Sequence, residues 1–268
     1  MRSLLKVGFG LLLLAFVLIG LFYGLLRAQG TTRPSNPEGR MVASETRSMA
    51  SGVTTVNLGG PIDMTLRQGA VPSLTVRGEQ RLLGNVETVS EGATLNIDTK
   101  GMLLHHKQPL QVVLVLPALE AVRIRGSGDS TVNGFSGDRL DLQLHGSGNV
   151  KLNGRYRQIE AGLQGSGDIE LNGGNSDRIE VSVVGSGSMT VVGAARAFKV
   201  SQTGSGDLDA EHLSADDVSI DLTGSGSAVV QARKSASINL RGSGDISVHG
   251  NPEDSNVTRN GSGNVSFE

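Results

Sequence analysis

The sequence predicts an all-β fold: a right-handed parallel β-helix-like solenoid of about 19–20 residues per coil, preceded by an N-terminal transmembrane or signal helix. Three observations carry that prediction. Gly-Ser-Gly recurs eight times, beginning at Gly126, Gly146, Gly165, Gly185, Gly204, Gly224, Gly242 and Gly261, with steps of 18 to 20 residues. Apolar and polar residues alternate on both sides of each copy, the period-two signature of a strand with one face turned inward. The composition, with 38 glycines, only 3% aromatic residues and neither Trp nor Cys, suits a thin aliphatic core without disulfides or a lipid-modified cysteine.

Residues 1–29 read as a signal anchor or a signal peptide. Arg2 and Lys6 precede an uncharged apolar run from Val7 to Leu26, and Arg27 closes it. Twenty residues at about 1.5 Å each span a bilayer, and the run exceeds the roughly 7 to 15 residues of a cleaved signal core. An anchor through residues 7–26 is therefore the first reading. Cleavage after Ala28-Gln29-Gly30 is its alternative. Either way the positive end stays cytoplasmic and the remainder crosses. Residues 30–50, with Pro34, Pro37 and Gly39 and no periodicity, read as a flexible linker.

Residues 51–268 read as a single β-solenoid domain, with 51–121 as N-terminal coils and cap and 122–268 as the regular repeats. Short alternating runs at Val53–Leu58, Ile62–Leu66, Leu74–Val76 and Leu95–Ile97 are broken by Gly59-Gly60-Pro61 and Gln68-Gly69. The continuous apolar run Leu110–Leu116 predicts a strand covered on both faces, ended by Pro117. A cap is expected because an open solenoid end exposes core and strand edge.

Within the repeats, Leu140, Leu142 and Leu144 lead into one Gly-Ser-Gly, and Ile179, Val181, Val183 and Val218, Ile220, Leu222 lead into others. Val150 and Leu152, Ile169 and Leu171, and Ile246 and Val248 follow with fixed phase. The glycine pairs Gly126/Gly128, Gly146/Gly148, Gly165/Gly167, Gly185/Gly187, Gly204/Gly206, Gly224/Gly226, Gly242/Gly244 and Gly261/Gly263 are thus expected at corners that need positive φ or close backbone approach. Asn133-Gly134, Asn153-Gly154, Asn172-Gly173 and His249-Gly250 mark a second corner. A meander of hairpins with Gly-Ser-Gly loops is the competing closure. The constant phase favours the stack, in which equivalent positions superpose.

The run Gly60-Pro-Ile-Asp-Met-Thr-Leu-Arg-Gln-Gly69, the strand Gln111–Leu116 followed by Pro117, Leu119 and Glu120, and the string of Gly-Ser-Gly-Asp/Asn turns resemble the auto-transporter adhesin, head GIN domain family of bacterial envelope proteins. The resemblance covers about residues 50–268. It implies a β-helix-like exported domain with an adhesion role, and it carries no catalytic residues.

The residue after each Gly-Ser-Gly runs Asp129, Asn149, Asp168, Ser188, Asp207, Ser227, Asp245, Asn264, alternating carboxylate with neutral. Asp129, Asp168, Asp207 and Asp245 invite comparison with calcium-binding β-rolls. Those rolls repeat more tightly, and the preferred reading is a corner side chain accepting backbone amides, with no metal and no cofactor. His105-His106 reads as a loop pair rather than a metal site, since adjacent strand residues face opposite ways.

Repeats of nearly constant length project no long loops to build a cleft, so no enzyme is expected; a β-helix enzyme acting on surface polysaccharide is the alternative. Beyond Arg2, Lys6 and Arg27 the chain holds 21 Lys and Arg against 26 Asp and Glu, a net charge of −5 without a basic stripe, which argues against nucleic acid. The expected function is a membrane-tethered, exported scaffold or binding domain of the bacterial envelope, facing the periplasm or the exterior, whose partner is another envelope protein or a surface polymer.

Overall fold

The computed structural model describes residues 41–101 and 108–268 together with the single helical residue Val17. The membrane or signal segment, most of the linker and His105-His106 lie outside the described residues. Among the described residues no helix is long and apolar enough to cross a membrane.

From Val42 onward the chain is a β-solenoid. Its N-terminal part comprises β1 (Val42–Arg47), β2 (Thr55–Gly59), β3 (Ile62–Gln68), β4 (Ser73–Glu79), the helical turn α1 (Gln80–Leu83), β5 (Val86–Glu91), β6 (Thr94–Thr99), β7 (Leu110–Leu116) and β8 (Ala121–Gly126). Then come β9 (Ser130–Gly146), β10 (Asn149–Gly165), β11 (Asp168–Gly185), β12 (Ser188–Gly204), β13 (Asp207–Gly224) and β14 (Ser227–Gly242), each a whole coil between successive Gly-Ser-Gly corners. The last coils are β15 (Asp245–His249), β16 (Asp254–Gly261) and β17 (Asn264–Phe267). All neighbours from β8 onward pair in parallel, which excludes the hairpin meander.

Every coil has a first face after its Gly-Ser-Gly (Asn149–Asn153 in β10), a short bent side, and a second face leading into the next corner (Gln158–Gly165). The bend falls at the second corner, where the register slips between Asn153 and Gly154 and between Asn172 and Gly174. Inward residues superpose into ladders. One runs Leu95, Val56, Val122, Leu142, Ala161, Val181, Val200, Ile220, Ile238, Val257. Its members from Leu95 to Ile238 are buried. Phe135, Tyr156, Ala195, Ala215 and Ala232 fill the bent side. Burial of such aliphatics contributes roughly 1.5–3 kcal/mol each, which a coil too thin to close on itself gains only by stacking.

The N-terminal segment departs from the expectation in three ways. Val42–Arg47, read as linker, is an edge strand antiparallel to β4. The Arg47 guanidinium donates to the carbonyls of Val86 and Leu83, the latter at 2.7 Å, and so holds this strand to the end of α1. The cap is built from antiparallel pairs, β1–β4, β4–β7 and β5–β6, rather than from further coils alone. Leu110–Leu116 is fully covered on one face only: Leu110, Val112, Leu114 and Leu116 are buried, while Val113 and Val115 are half-exposed. A buried ion pair, Arg81–Glu79 at 2.8 Å, sits under this cap.

Candidate binding surface

The two glycines of each corner are required for different reasons. Gly165, the first of its pair, has φ +131°, and a Cβ there would also strike the carbonyl oxygen of Gly146 one coil below. Positive φ belongs to this first glycine alone, in all eight copies. The second glycines, Gly128, Gly148, Gly167, Gly187, Gly206, Gly226, Gly244 and Gly263, lie outside the positive-φ region, so of the two demands expected at a corner they meet the close approach and not the left-handed turn. They are buried, and close approach is what excludes a side chain from them. A Cβ on Gly187, Gly226 or Gly244 would come within 2.1, 2.1 and 2.3 Å of the carbonyl oxygens of Gly167, Gly206 and Gly226 in turn. That contact is closest because the backbone ladder continues through the corner: Ser166 N–H donates to Gly146 O at 3.0 Å and Ser186 N–H to Gly165 O at 3.0 Å. The intervening serines point to solvent. Gly126 and Gly128 themselves stack on Gly60 and Ile62, so Gly60-Pro61-Ile62 is a ninth corner hidden by its different residues.

The column beside these corners joins neighbouring coils. Asp129 Oδ1 accepts from Asn149 N–H at 3.1 Å and from its side-chain amide at 3.0 Å. Asp168 accepts from Ser188 N–H at 3.2 Å, Asp207 from the Ser227 hydroxyl at 2.6 Å, and Asp245 from Asn264 N–H at 3.3 Å. Each carboxylate therefore serves the neutral residue of the following coil. Asp63 extends the column below Asp129 and accepts its N–H at 3.0 Å, placing two carboxylates side by side at one end. Among the described residues no three His, Cys, Asp or Glu side chains converge as a metal site would need.

A second column escaped the sequence reading. At the start of the second face Asp138, Arg157, Asp177, Arg196, Asp216 and Lys234 follow one another coil by coil, alternating in sign. Arg157 lies 3.7 Å from Asp138 and 3.1 Å from Asp177, Arg196 lies 3.5 Å from Asp177, and Arg233 and Lys234 each lie 2.8 Å from Asp216. The hydrogen bond from Lys234 holds the Asp216 carboxyl below its ordinary range, aided by Arg233 and Arg196 and opposed by partial desolvation. These positions fall 10 to 12 residues after the first glycine of their repeats, so alignment on Gly-Ser-Gly does not superpose them.

The second face outside this column is flat and polar. Gln143, Gly162, Ser182, Ser201, Asp221 and Asn239 form one outward row. Beside Gly162, over which the Gln143 side chain folds, a shallow hollow of about 420 Å³ opens across four coils, β9 to β12. Glu160 and Glu180 stand on one rim, each paired with an arginine, Arg139 at 2.8 Å and Arg178. His145 Nδ1 and Gln164 Oε1, 2.6 Å apart, form the other rim with Val184, which is 42% exposed. Such a surface offers hydrogen-bond donors and acceptors at the coil spacing, with one apolar contact and no buried acid–base pair.

Inside the core, Gln202 interrupts the ladder Leu144, Leu163, Val183, Gln202, Leu222, Leu240. Its amide donates to the carbonyls of Gly206 and, at 3.2 Å, Ser227, bracing one corner from within. Tyr156 is the other buried polar brace, its hydroxyl donating to Leu119 O at 2.9 Å. Burial, and secondarily Glu120, raises its phenol above the ordinary tyrosine range.

A parallel β-solenoid with short corners and polar outer faces defines a surface-presenting domain. The profile of the family described as "Putative auto-transporter adhesin, head GIN domain" matches residues 53–252, and the chain belongs to this family. Among solved structures it is similar to a "putative adhesin" from Parabacteroides distasonis, with 25% identity, TM-score 0.80, and 86% of this chain and 98% of that one covered. A "putative lipid binding protein" from the same species aligns with 24% identity and TM-score 0.79 over 85% and 96% of the two chains. A "putative adhesin" from Parabacteroides merdae aligns with 18% identity and TM-score 0.77 over 85% and 96%. No match to a curated protein is found.

Proposed function

We propose that the protein is a membrane-tethered, exported binding domain of the bacterial envelope, adhesin-like and without enzymatic activity, its solenoid wound in the right-handed sense usual for parallel crossovers. The observation that carries the reading is the second face: a flat, polar, evenly spaced surface with a hollow at Gly162, on a scaffold whose nearly uniform coils build no catalytic cleft. Membership of an adhesin family supports it. The partner is an envelope protein or surface polymer met on that face, and residues 7–26 hold the domain to the membrane.

The test immobilises the full chain and probes it with envelope extract and with a glycan array. A partner retained by the wild type and lost with Ser182→Arg, an exposed substitution that fills the hollow, supports the face. Equal retention by both refutes it. After carbonate washing, the full-length chain is expected in the membrane pellet; a soluble mature chain beginning at Thr31 would refute the anchor.

A further inference from the structure

The bent side of the solenoid carries a hollow of its own, separate from the one beside Gly162. It measures about 590 Å³ and lies across β9, β10 and β11, where Gly134, Gly154 and Gly174 present no side chain and the pairing of β10 with β11 lapses between Asn153/Asn172 and Gln158/Arg178. Its floor is firm. Phe135 and Tyr156 fill the core beneath it, and a Cβ on Gly154 would come within 3.0 Å of the Tyr156 ring. Along one rim Arg67, Asn133, Asn153 and Asn172 superpose coil by coil. Asn153 Nδ2 donates to Asn133 Oδ1 at 3.0 Å, and Asn172 Oδ1 accepts from Gly174 N–H at 3.3 Å. That leaves Asn153 Oδ1 and the side-chain nitrogens of Asn133 and Asn172 without a partner among the described residues. Arg155 lines the hollow, its stem lying over Gly174.

The corner itself does not call for these groups. In β12 the same column holds Val192, and Gly193 supplies the positive φ without an amide beside it. The amides are thus confined to the three coils above Arg67. Charge is distributed as selectively. Arg67 and Arg155 are exposed, and neither meets a carboxylate among the described residues. The acids on the flanking columns are engaged, Glu170 with Lys151 at 2.9 Å and Asp177 with Arg157 at 3.1 Å, and no carboxylate lines the hollow.

We propose that this hollow is a second binding site, taking an acidic polysaccharide that lies along the rod axis with its carboxylates on Arg155 and Arg67. A guanidinium pairs with a planar carboxylate through two parallel hydrogen bonds. Primary amides both donate and accept, which suits sugar hydroxyls. The two arginines stand two coils apart, about 10 Å at about 4.8 Å per strand, with the amides of Asn133 and Asn153 along the rim between them. A peptide would find no apolar side chain to meet, since Phe135, which lies in the floor, is 1% exposed. The site is on a different side of the rod from the second face and does not rest on it.

The experiment measures binding of polygalacturonate, a carboxylated glycan, to the full-length chain in detergent at low salt, with dextran as a neutral glycan and dextran sulfate as a polyanion without carboxylates. Wild type is expected to retain polygalacturonate and not dextran. Arg155→Gln and Arg67→Gln should each weaken that binding about tenfold or more, Arg155→Lys should weaken it less, and Asn153→Asp, which sets a carboxylate on the rim, should abolish it. Arg241→Gln, which removes an exposed cation from the second face, should change nothing. Both arginines are exposed and make no ion pair, so the melting of their variants is expected to match wild type. Failure of the wild type to bind polygalacturonate, binding indifferent to both arginines, or an equal loss from Arg241→Gln overturns the inference. So does dextran sulfate bound as tightly and lost by the same factor with Arg155→Gln, which would make the hollow a general polyanion site. Ser182→Arg, at the other hollow, should leave polygalacturonate bound, so that failure of the second face and failure of this site are separate results; loss of polygalacturonate with Ser182→Arg would overturn the placement on the bent side.

Discussion

Arg157→Glu tests whether the alternating charge column helps hold the coils in register. Arg157 lies between Asp138 at 3.7 Å and Asp177 at 3.1 Å, and its side chain is 73% exposed. Exposed pairs of this kind contribute about 0.2–1 kcal/mol each, so losing two costs about 0.4–2 kcal/mol. A carboxylate in that place also faces two others at one coil spacing, about 4.8 Å, adding about 0.9 kcal/mol of repulsion per neighbour in water. The sum is about 2–4 kcal/mol at low salt. In 1 M salt the Debye length shrinks to about 3 Å, below the coil spacing, and most of the loss should vanish. Arg241→Glu is the control: it changes net charge equally, but its column neighbours are Thr223 and Asn260. Urea unfolding of both variants at about 0.01 M and 1 M salt measures the difference. Equal destabilisation of the two, or a loss from Arg157→Glu that salt leaves untouched, would refute the reasoning.

Ile220→Ala should cost about 2–4 kcal/mol by chemical denaturation, since its ladder neighbours Val200 and Ile238 cannot close the gap, whereas Ser219→Ala on the outward face should be near neutral; the reverse order would show the faces inverted. Converting Asn149, Ser188 and Ser227 together to Asp makes the corner column continuous carboxylate, with about 1 kcal/mol of repulsion per facing pair in water. Melting at low salt should fall, and a loss rescued by calcium alone would point to a metal instead. Tyr156 must keep its proton while buried, and its raised pKa means that its contribution is complete below the ordinary value of 10.0 and is lost as pH rises through the folded value. Wild type should thus lose stability above about pH 10 in unfolding followed by far-ultraviolet circular dichroism, while Tyr156→Phe, weaker by about 0.5–1.5 kcal/mol at neutral pH for want of the bond to Leu119, should lose less there.

What the sequence revealed depends on what the stack constrains. Gly-Ser-Gly was legible because two glycines per coil meet the carbonyls of the coil beneath, a demand that allows no other residue and so repeats visibly. The division of labour within each pair was not, since Gly185 at positive φ and Gly187 outside that region are the same letter in the sequence. The inward ladders were legible for the same reason as the corners: Leu142, Val181 and Ile220 occupy one rung position because a parallel stack superposes equivalents. The cap left no such trace, since antiparallel edges such as β1 are specified by pairing with β4 and by Arg47 reaching Leu83 and Val86, long-range contacts without a period. Nor did the charge column. Its members share a place only after the second corner has absorbed a residue in some coils and not in others, as the register slips at Asn153, Asn172 and Ala210 record. The hollow at Gly162 follows the same logic in reverse. A glycine in the middle of a polar row violates no repeat rule, and only the neighbouring rows, supplied by the four coils β9 to β12, with Gln143 folded over the glycine, build the hollow beside it.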